Sequence, residues 1–296
     1  NQPLRRTRTL WQDAMRRLRR DPLVIACLIY MAVLFGVALA PAAIAPLSYE
    51  QTSFSDKLSS PGTVATDPKM AGHRYLFGSD KLGRDIFSRI IYGTRVSIFV
   101  ALMGATISFV LGVGYGLIAG FSSPAVDNAM MRFVDVLYAL PYIFIVIILS
   151  TLFERGNIFV LFFAIGAVGW LTMARIVRGQ ALSLKRREFI EAAIASGVST
   201  PAILVRHIVP NLIGPVIIYV TLTIPQMILF ESFLSFLGLG VQEPLASLGS
   251  LINEGAQEME SAVWMLLVPA TFLVTLLMSF NFLGDGLRDA LDPRDA

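Results

Sequence analysis

The sequence predicts an all-α integral membrane protein that crosses the bilayer six times. Two observations carry that class. Of 296 residues, 55% are hydrophobic and only 15% charged, against roughly 45–50% apolar and about 25% charged in soluble domains. The apolar residues are also gathered into long runs that read as one membrane domain. A spanning helix needs roughly 20 apolar residues, because backbone groups left unpaired in about 30 Å of hydrocarbon cost several kcal/mol each. Runs at 23–47, 96–121, 136–153, 158–174, 208–230 and 262–284 meet that requirement.

Ahead of the first run, residues 9–21 place Leu10, Ala14 and Leu18 at spacing four, with Trp11 and Met15 beside them and arginines elsewhere. That pattern suits a helix in the headgroup layer, with Pro22 turning the chain inward, and equally a plain topogenic arginine cluster. The run from 23 to 49 is uncharged and far longer than the 7–15 residue core of a signal peptide, so an uncleaved anchor is expected despite the small-x-small Ala43-Ile44-Ala45. The single cysteine, Cys27, lies inside this run and excludes a disulfide framework or thiolate metal site.

Lysine and arginine set the expected orientation. Arg5, Arg6, Arg8, Arg16, Arg17, Arg19 and Arg20 precede the first run, and Arg175, Arg178, Lys185, Arg186, Arg187 and Arg206 lie between the fourth and fifth. Between the fifth and sixth only acids occur: Glu231, Glu243, Glu254, Glu258 and Glu260. Both termini are therefore expected in the cytoplasm. Residues 48–95 then lie outside although they hold Lys57, Lys69, Arg74, Lys81, Arg84, Arg89 and Arg95, a conflict that Glu50, Asp56, Asp67, Asp80 and Asp85 soften. A pI near 9.1 does not point to nucleic acid, since the bases cluster beside apolar runs.

The runs lack an ionisable group near their centres, which disfavours a self-sufficient channel or ion-coupled carrier. Asp135 and Glu231 sit at run ends, and Asp135 is expected to pair with Arg132. No phosphate loop, H-E-x-x-H zinc motif or G-x-S-x-G elbow is present. Ser196-Gly197 lacks the glycine that precedes an intramembrane serine nucleophile, and His73 and His207 fall on opposite sides, so a hydrolase is disfavoured too. Gly112, Gly116 and Gly120 form one face of the second run and predict close helix packing. Pro141, Pro215, Pro225 and Pro269 predict kinks.

The stretch 175–207 is far longer than the 2–8 residues that usually join helices. Within it Phe189, Ala192, Ala193 and Ser196 fall on one helical face, small except for a single aromatic knob. Gly197 suits a left-handed helix stop, Ser199 and Thr200 suit an N-cap, and Pro201 fits the first turn of a second helix. A helix, a joint and another helix would project from the membrane, as a docking handle or as a connector lying on lipid.

The spacing Glu191-Ala192-Ala193, Gly197, then Pro210 resembles the EAA loop of permease subunits of bacterial ABC importers. It departs from that pattern at His207 and Val209, where the family carries Ile and Leu. "FGSDKLGRDIFSRIIYGTRVSI" from Phe77, "ESFLSFLGLGVQEP" from Glu231 and "GDGLRDALDP" from Gly284 are similar to the peptide and nickel branch. "MARIVRGQALSLKRREFIEAA" and "RHIVPN" resemble the C-type permease subunit of oligopeptide importers.

The resemblance implies the type I permease fold: an N-terminal segment 1–22, an anchor 23–47, an external loop 48–95, a core domain 96–284 and a cytoplasmic tail 285–296. It implies that 175–207 holds a coupling helix seated on an ATPase, with Glu188, Phe189, Glu191, Ala192, Ala193, Ser196, Gly197 and Pro210 as coupling residues. A heterodimer with a homologous permease subunit, two ABC ATPases that bind ATP and Mg, and an extracytoplasmic substrate-binding protein are implied partners. The bacterial inner membrane is the implied location. Oligopeptides are the implied cargo; dipeptides, nickel complexes, glutathione and peptide antibiotics stay open. "GSDKLGRDIF" is expected either as an interfacial helix near the external receptor or as a packing element between permeases.

Overall fold

A computed structural model describes residues 15–152 and 158–291. The first half of the expected 9–21 helix, the end of the third run at 153 and residues 292–296 of the tail lie outside the described residues. Among the described residues all regular secondary structure is helical apart from two isolated bridges.

Helix α1, Pro22–Leu39, starts where Asp21 Oδ1 accepts from the amides of Leu23 (2.9 Å) and Val24 (3.3 Å), with Pro22 in the first turn. It is shorter than the expected 23–47. The lone turn Pro41–Ile44 follows, because Pro41 cannot continue the helix and biases Ala40 out of it. Cys27 is buried in α1.

Residues 45–85 fold into a lobe of turns. Asp56 organises it, accepting from Ser53 Oγ (2.8 Å), Thr66 N (2.9 Å), Thr66 Oγ1, Asp67 N (3.3 Å) and Tyr75 Oη (3.3 Å). The expected interfacial helix at "GSDKLGRDIF" is absent. Asp80 Oδ1 takes the amides of Leu82 (2.8 Å) and Arg84 (2.9 Å), closing a turn. Asp85 then caps Ser88 N at 2.8 Å, and helix begins only at Ile86.

Helix α2, Ile86–Phe121, has 36 residues, about 54 Å at 1.5 Å per residue. Helix α3, Pro124–Ala139, and helix α4, Tyr142–Leu152, follow. The expected single run 136–153 is thus divided between them at Pro141, which forfeits a backbone bond and ends α3. Helix α5, Ile158–Lys185, bends by 42° between its halves. The helix passes well beyond the expected end at Ala174. Helix α6 is Glu188–Ala195. Helix α7, Thr200–Phe236, includes a π-helical turn at Leu204–Ile208 and carries Pro215 and Pro225 internally. Helix α8, Leu248–Gln257, begins in a Ser247/Ser250 capping box, and helix α9, Trp264–Leu291, contains Pro269.

Among the described residues four helices are long and apolar enough to cross a membrane singly: α1, α2, α7 and α9. Bent α5 makes five. The crossing expected at 136–153 is not among them. Helices α2 and α5 pack closely along their length. A Cβ on Gly104 would meet Ile165 at 3.0 Å, on Gly112 Met173 at 2.5 Å, on Gly116 Val177 at 2.8 Å and on Gly120 Ala181 at 3.0 Å. The constant offset means that the two helices run parallel. The expected glycine face is this contact, where missing side chains let backbones touch.

A large apolar core joins α1, α2, α4, α5, α7, α8 and α9. A second cluster sits at the far end of α2: Leu117, Met173, Val177, Ala181, Ile190, Ile203, Ile208, Leu212 and Val216.

Candidate coupling site

Helix α6 hangs on that second cluster. Its first turn carries Glu188 and Glu191, favourably placed against the positive end of the helix dipole, without a side-chain cap from Arg187. Of its side chains Ile190 alone is fully buried. Ile190 meets Ile203 and Ile208 of α7 and Val177 and Ala181 of α5 in one apolar cluster.

The opposite surface is open. Glu188, Phe189, Glu191, Ala192, Ser196 and Gly197 are exposed and Ala193 half-buried. Phe189 is 46% exposed, and its ring centre lies 6.5 Å from that of His207. Exposed Ile194 and Val198 extend this apolar surface beyond the expected face.

The joint is built as the residue types require. The Gly197 amide donates to Ile194 O (3.0 Å) and the Val198 amide to Ala193 O (3.1 Å). Gly197 holds φ at 77°, the left-handed stop that satisfies the last carbonyls. Ser196 Oγ donates to Ala192 O at 2.9 Å, which leaves it without the geometry of a nucleophile. Ser199 is extended and Pro201 lies in the first turn of α7, as expected, though Ser199 makes no side-chain cap. Pro210 is exposed on the first turn after the π-helical stretch, where Val209 N reaches Leu204 O. The wider turn ahead of Pro210 accommodates a ring that would crowd the carbonyl four residues back.

Two ion pairs brace the neighbouring helices. Arg178 forks onto Asp127 with both contacts at 2.6 Å. Arg175 reaches Asp135 at 2.7 Å and lies over the Tyr138 ring. Asp135 therefore pairs across to α5, rather than with Arg132 along its own helix.

At the other end of α2, Arg89 forks onto Glu254 (2.6 and 2.9 Å) and meets Asp80 at 2.7 Å. Arg84 meets Asp80 at 2.6 Å and Glu243 at 3.0 Å. Burial would lower the Arg84 pKa, but Asp80 beside it raises it. Burial would likewise raise Glu243, which Arg84 instead holds below the usual range. Glu231 is fully buried, accepting from Ser97 Oγ (2.8 Å) and Ser235 Oγ (2.7 Å). His73 belongs to the lobe of turns and His207 to α7, so the two histidines do not meet. Among the described residues no cluster of His, Cys, Asp and Glu is arranged to hold a metal.

Sequence reasoning missed Ile190, because one isoleucine among many apolar residues carries no mark of its own. Its spacing from the exposed Phe189 and Ala192 was the available signal.

Residues 112–295 match the family described as binding-protein-dependent transport system inner membrane component. Residues 9–61 match the N-terminal transmembrane domain of oligopeptide transport permease C. The chain is 50% identical to an oligopeptide transport system permease protein of Salmonella typhimurium, covering 97% of this chain and 92% of that one. It is 48% identical to the corresponding Haemophilus influenzae protein, covering 97% and 90%. A dipeptide transport system permease protein of Bacillus subtilis is 42% identical, covering 96% and 85%. Among solved structures, an inward-facing MetNI methionine ABC transporter chain aligns with a TM-score of 0.56 at 17% identity, over 70% of this chain and 98% of that one, which speaks for the fold alone. A multi-pass helical chain with a jointed helix at the end of its long parallel pair, matched in this way over nearly its whole length, belongs to the family of inner-membrane permease components of binding-protein-dependent transport systems.

Proposed function

We propose that this permease imports peptides, with oligopeptides as its main cargo, and that ATP hydrolysis in separate subunits drives it through α6. The observation that carries this reading is the two-sided character of α6. Ile190 roots it in the cluster shared by α2, α5 and α7, while Phe189, Ala192 and Ser196 face outward. Small residues allow close approach by a partner surface, and Phe189 supplies the knob that enters it. Glu191 contributes a polar contact, and Gly197 sets the angle between α6 and α7. ATPase closure would push α6, and the shared cluster would carry that push into three helices as a rigid-body shift between inward- and outward-facing states.

The working assembly would be this chain, a homologous permease subunit, two ABC ATPases holding ATP and Mg, and an external substrate-binding protein. Both termini and α6 would face the cytoplasm. The names of the oligopeptide and dipeptide relatives support the cargo. Purification with co-purifying subunits, followed by reconstitution with the external receptor, tests the assignment. Peptide uptake should require ATP, and a Ser196→Cys variant should cross-link to an ATPase. Uptake without ATPases, or a thiol in that variant that meets only lipid, would refute it.

A further inference from the structure

The outer end of α2 bears a cavity of about 290 Å³ bounded by Tyr49, Tyr92, Arg95, Phe99, Leu245 and Ala246. Its walls are held in place from several sides. The rings of Tyr49 and Tyr92 lie 4.6 Å apart at 46°. Phe99 stands 5.5 Å from Phe162 at 71°. Ser247, directly after the Leu245-Ala246 wall, is fixed as the cap of α8.

Arg95 differs from the other outer arginines. Arg84 and Arg89 are consumed by Asp80, Glu243 and Glu254, and Arg74 donates to Gly62 O at 2.9 Å. Arg95 is exposed and, among the described residues, has neither hydrogen bond nor ion pair. An unpaired guanidinium is a planar donor fork suited to a carboxylate. Aromatic rings around it offer apolar surface to whatever adjoins that carboxylate. Ligand cavities span roughly 300–1,000 Å³, so this one has room for a single residue rather than a whole peptide.

We propose that the cavity receives the C-terminal carboxylate and last side chain of a peptide entering from the external receptor, a reading that rests on peptides being the cargo. Arg95 pairs with the carboxylate, and the Tyr49, Tyr92 and Phe99 rings hold the side chain. Because only one end of the cargo is held, peptides of different length are accepted alike.

The test uses the reconstituted complete importer, saturating loaded receptor and two peptides that differ only in a free or amidated C-terminus. Wild-type protein should take up the free acid faster. Arg95→Ala and Arg95→Gln should each slow free-acid uptake about ten-fold and leave the amide unchanged, with Arg95→Lys retaining part of the rate. Equal slowing of both peptides, or none, overturns the proposal. So does slowing that follows the anionic lipid content of the liposomes, which would assign Arg95 to a headgroup phosphate. If wild-type importer moves neither peptide, the peptide reading itself fails and takes this proposal with it.

Discussion

Gly197 places its φ of 77° in a region that costs an L-residue roughly 1–2 kcal/mol. A Cβ there would meet no atom within 4 Å, so the penalty of a larger residue is purely one of backbone. Gly197→Val should therefore insert and assemble but relax to another joint angle. Uptake per ATP hydrolysed should fall by roughly five-fold or more, the population factor for about 1 kcal/mol; an unchanged ratio would refute the joint's role. Asp56 supports a pH prediction. Burial alone would push its carboxyl up, but bonds from Thr66, Ser53 and Asp67 win and hold it at about 2 against an ordinary 3.8. A depressed carboxylate stabilises fully above its unfolded value and loses that contribution as pH falls through the folded one. Amide protection factors in the 45–85 lobe should thus hold steady at neutral pH and fall between about pH 4 and 2, the interval between those two values. Asp56→Asn should lower them at neutral pH and remove the acid step. Gly197 and Pro141 were legible because glycine and proline act through their own backbones. Arg89 was not, since nothing along the chain links it to Glu254.

The parallel pairing of α2 with α5 brings backbones into direct contact, and α6 is rooted in the cluster at its end. On Gly116 a Cβ would meet Ala174 O at 2.6 Å and Val177 Cβ at 2.8 Å, neither of them a flexible tip. Gly116→Leu should separate the helices and cost about 1–3 kcal/mol or more, read as loss of folded protein in detergent at raised temperature. Ile190→Ala should be gentler on the bundle and harder on α6. Truncating a buried isoleucine costs about 2–5 kcal/mol, and here the loss falls on the anchorage of α6. ATPases should still bind, while hydrolysis proceeds with little uptake; tight coupling in that variant would show that force travels elsewhere. Hydropathy located the helices wherever lipid demands apolar residues, and lost them where it does not. Past Ala174 the charges of Arg175 and Arg178 ended the apolar signal, yet the helix continues because its bonds are internal to the backbone. Helix α8 was illegible for a related reason: its buried Leu248, Leu251 and Gly255 form too short a pattern to stand apart from a loop.

Across the whole molecule, α2 connects two assemblies of opposite character: the lobe of turns with its buried charges at the Ile86 end, and the apolar nest of α6 beyond Leu117. The ends of that helix lie about 54 Å apart, against about 30 Å of hydrocarbon, which is long enough to place the lobe and α6 on opposite sides of a bilayer. Of the bases in 48–95, Arg84 and Arg89 are buried among Asp80, Glu243 and Glu254, so in the folded chain these two are not free positive charge. Removing one member should be severe: Arg89→Ala leaves Asp80 with Arg84 alone and Glu254 with only the 3.5 Å contact to Arg84, and should cost about 3–5 kcal/mol. Replacing both Arg89 and Glu254 with Leu should recover part of that loss. Which end faces the cytoplasm is then a matter of one labelling experiment. In a Cys27→Ser background, Thr63→Cys places a thiol on the exposed lobe and Ser196→Cys places one just past α6. A membrane-impermeant thiol reagent added to intact spheroplasts should label the first, and reach the second only after the membrane is opened. The reverse pattern would invert the chain and remove α6 from the reach of any cytoplasmic ATPase.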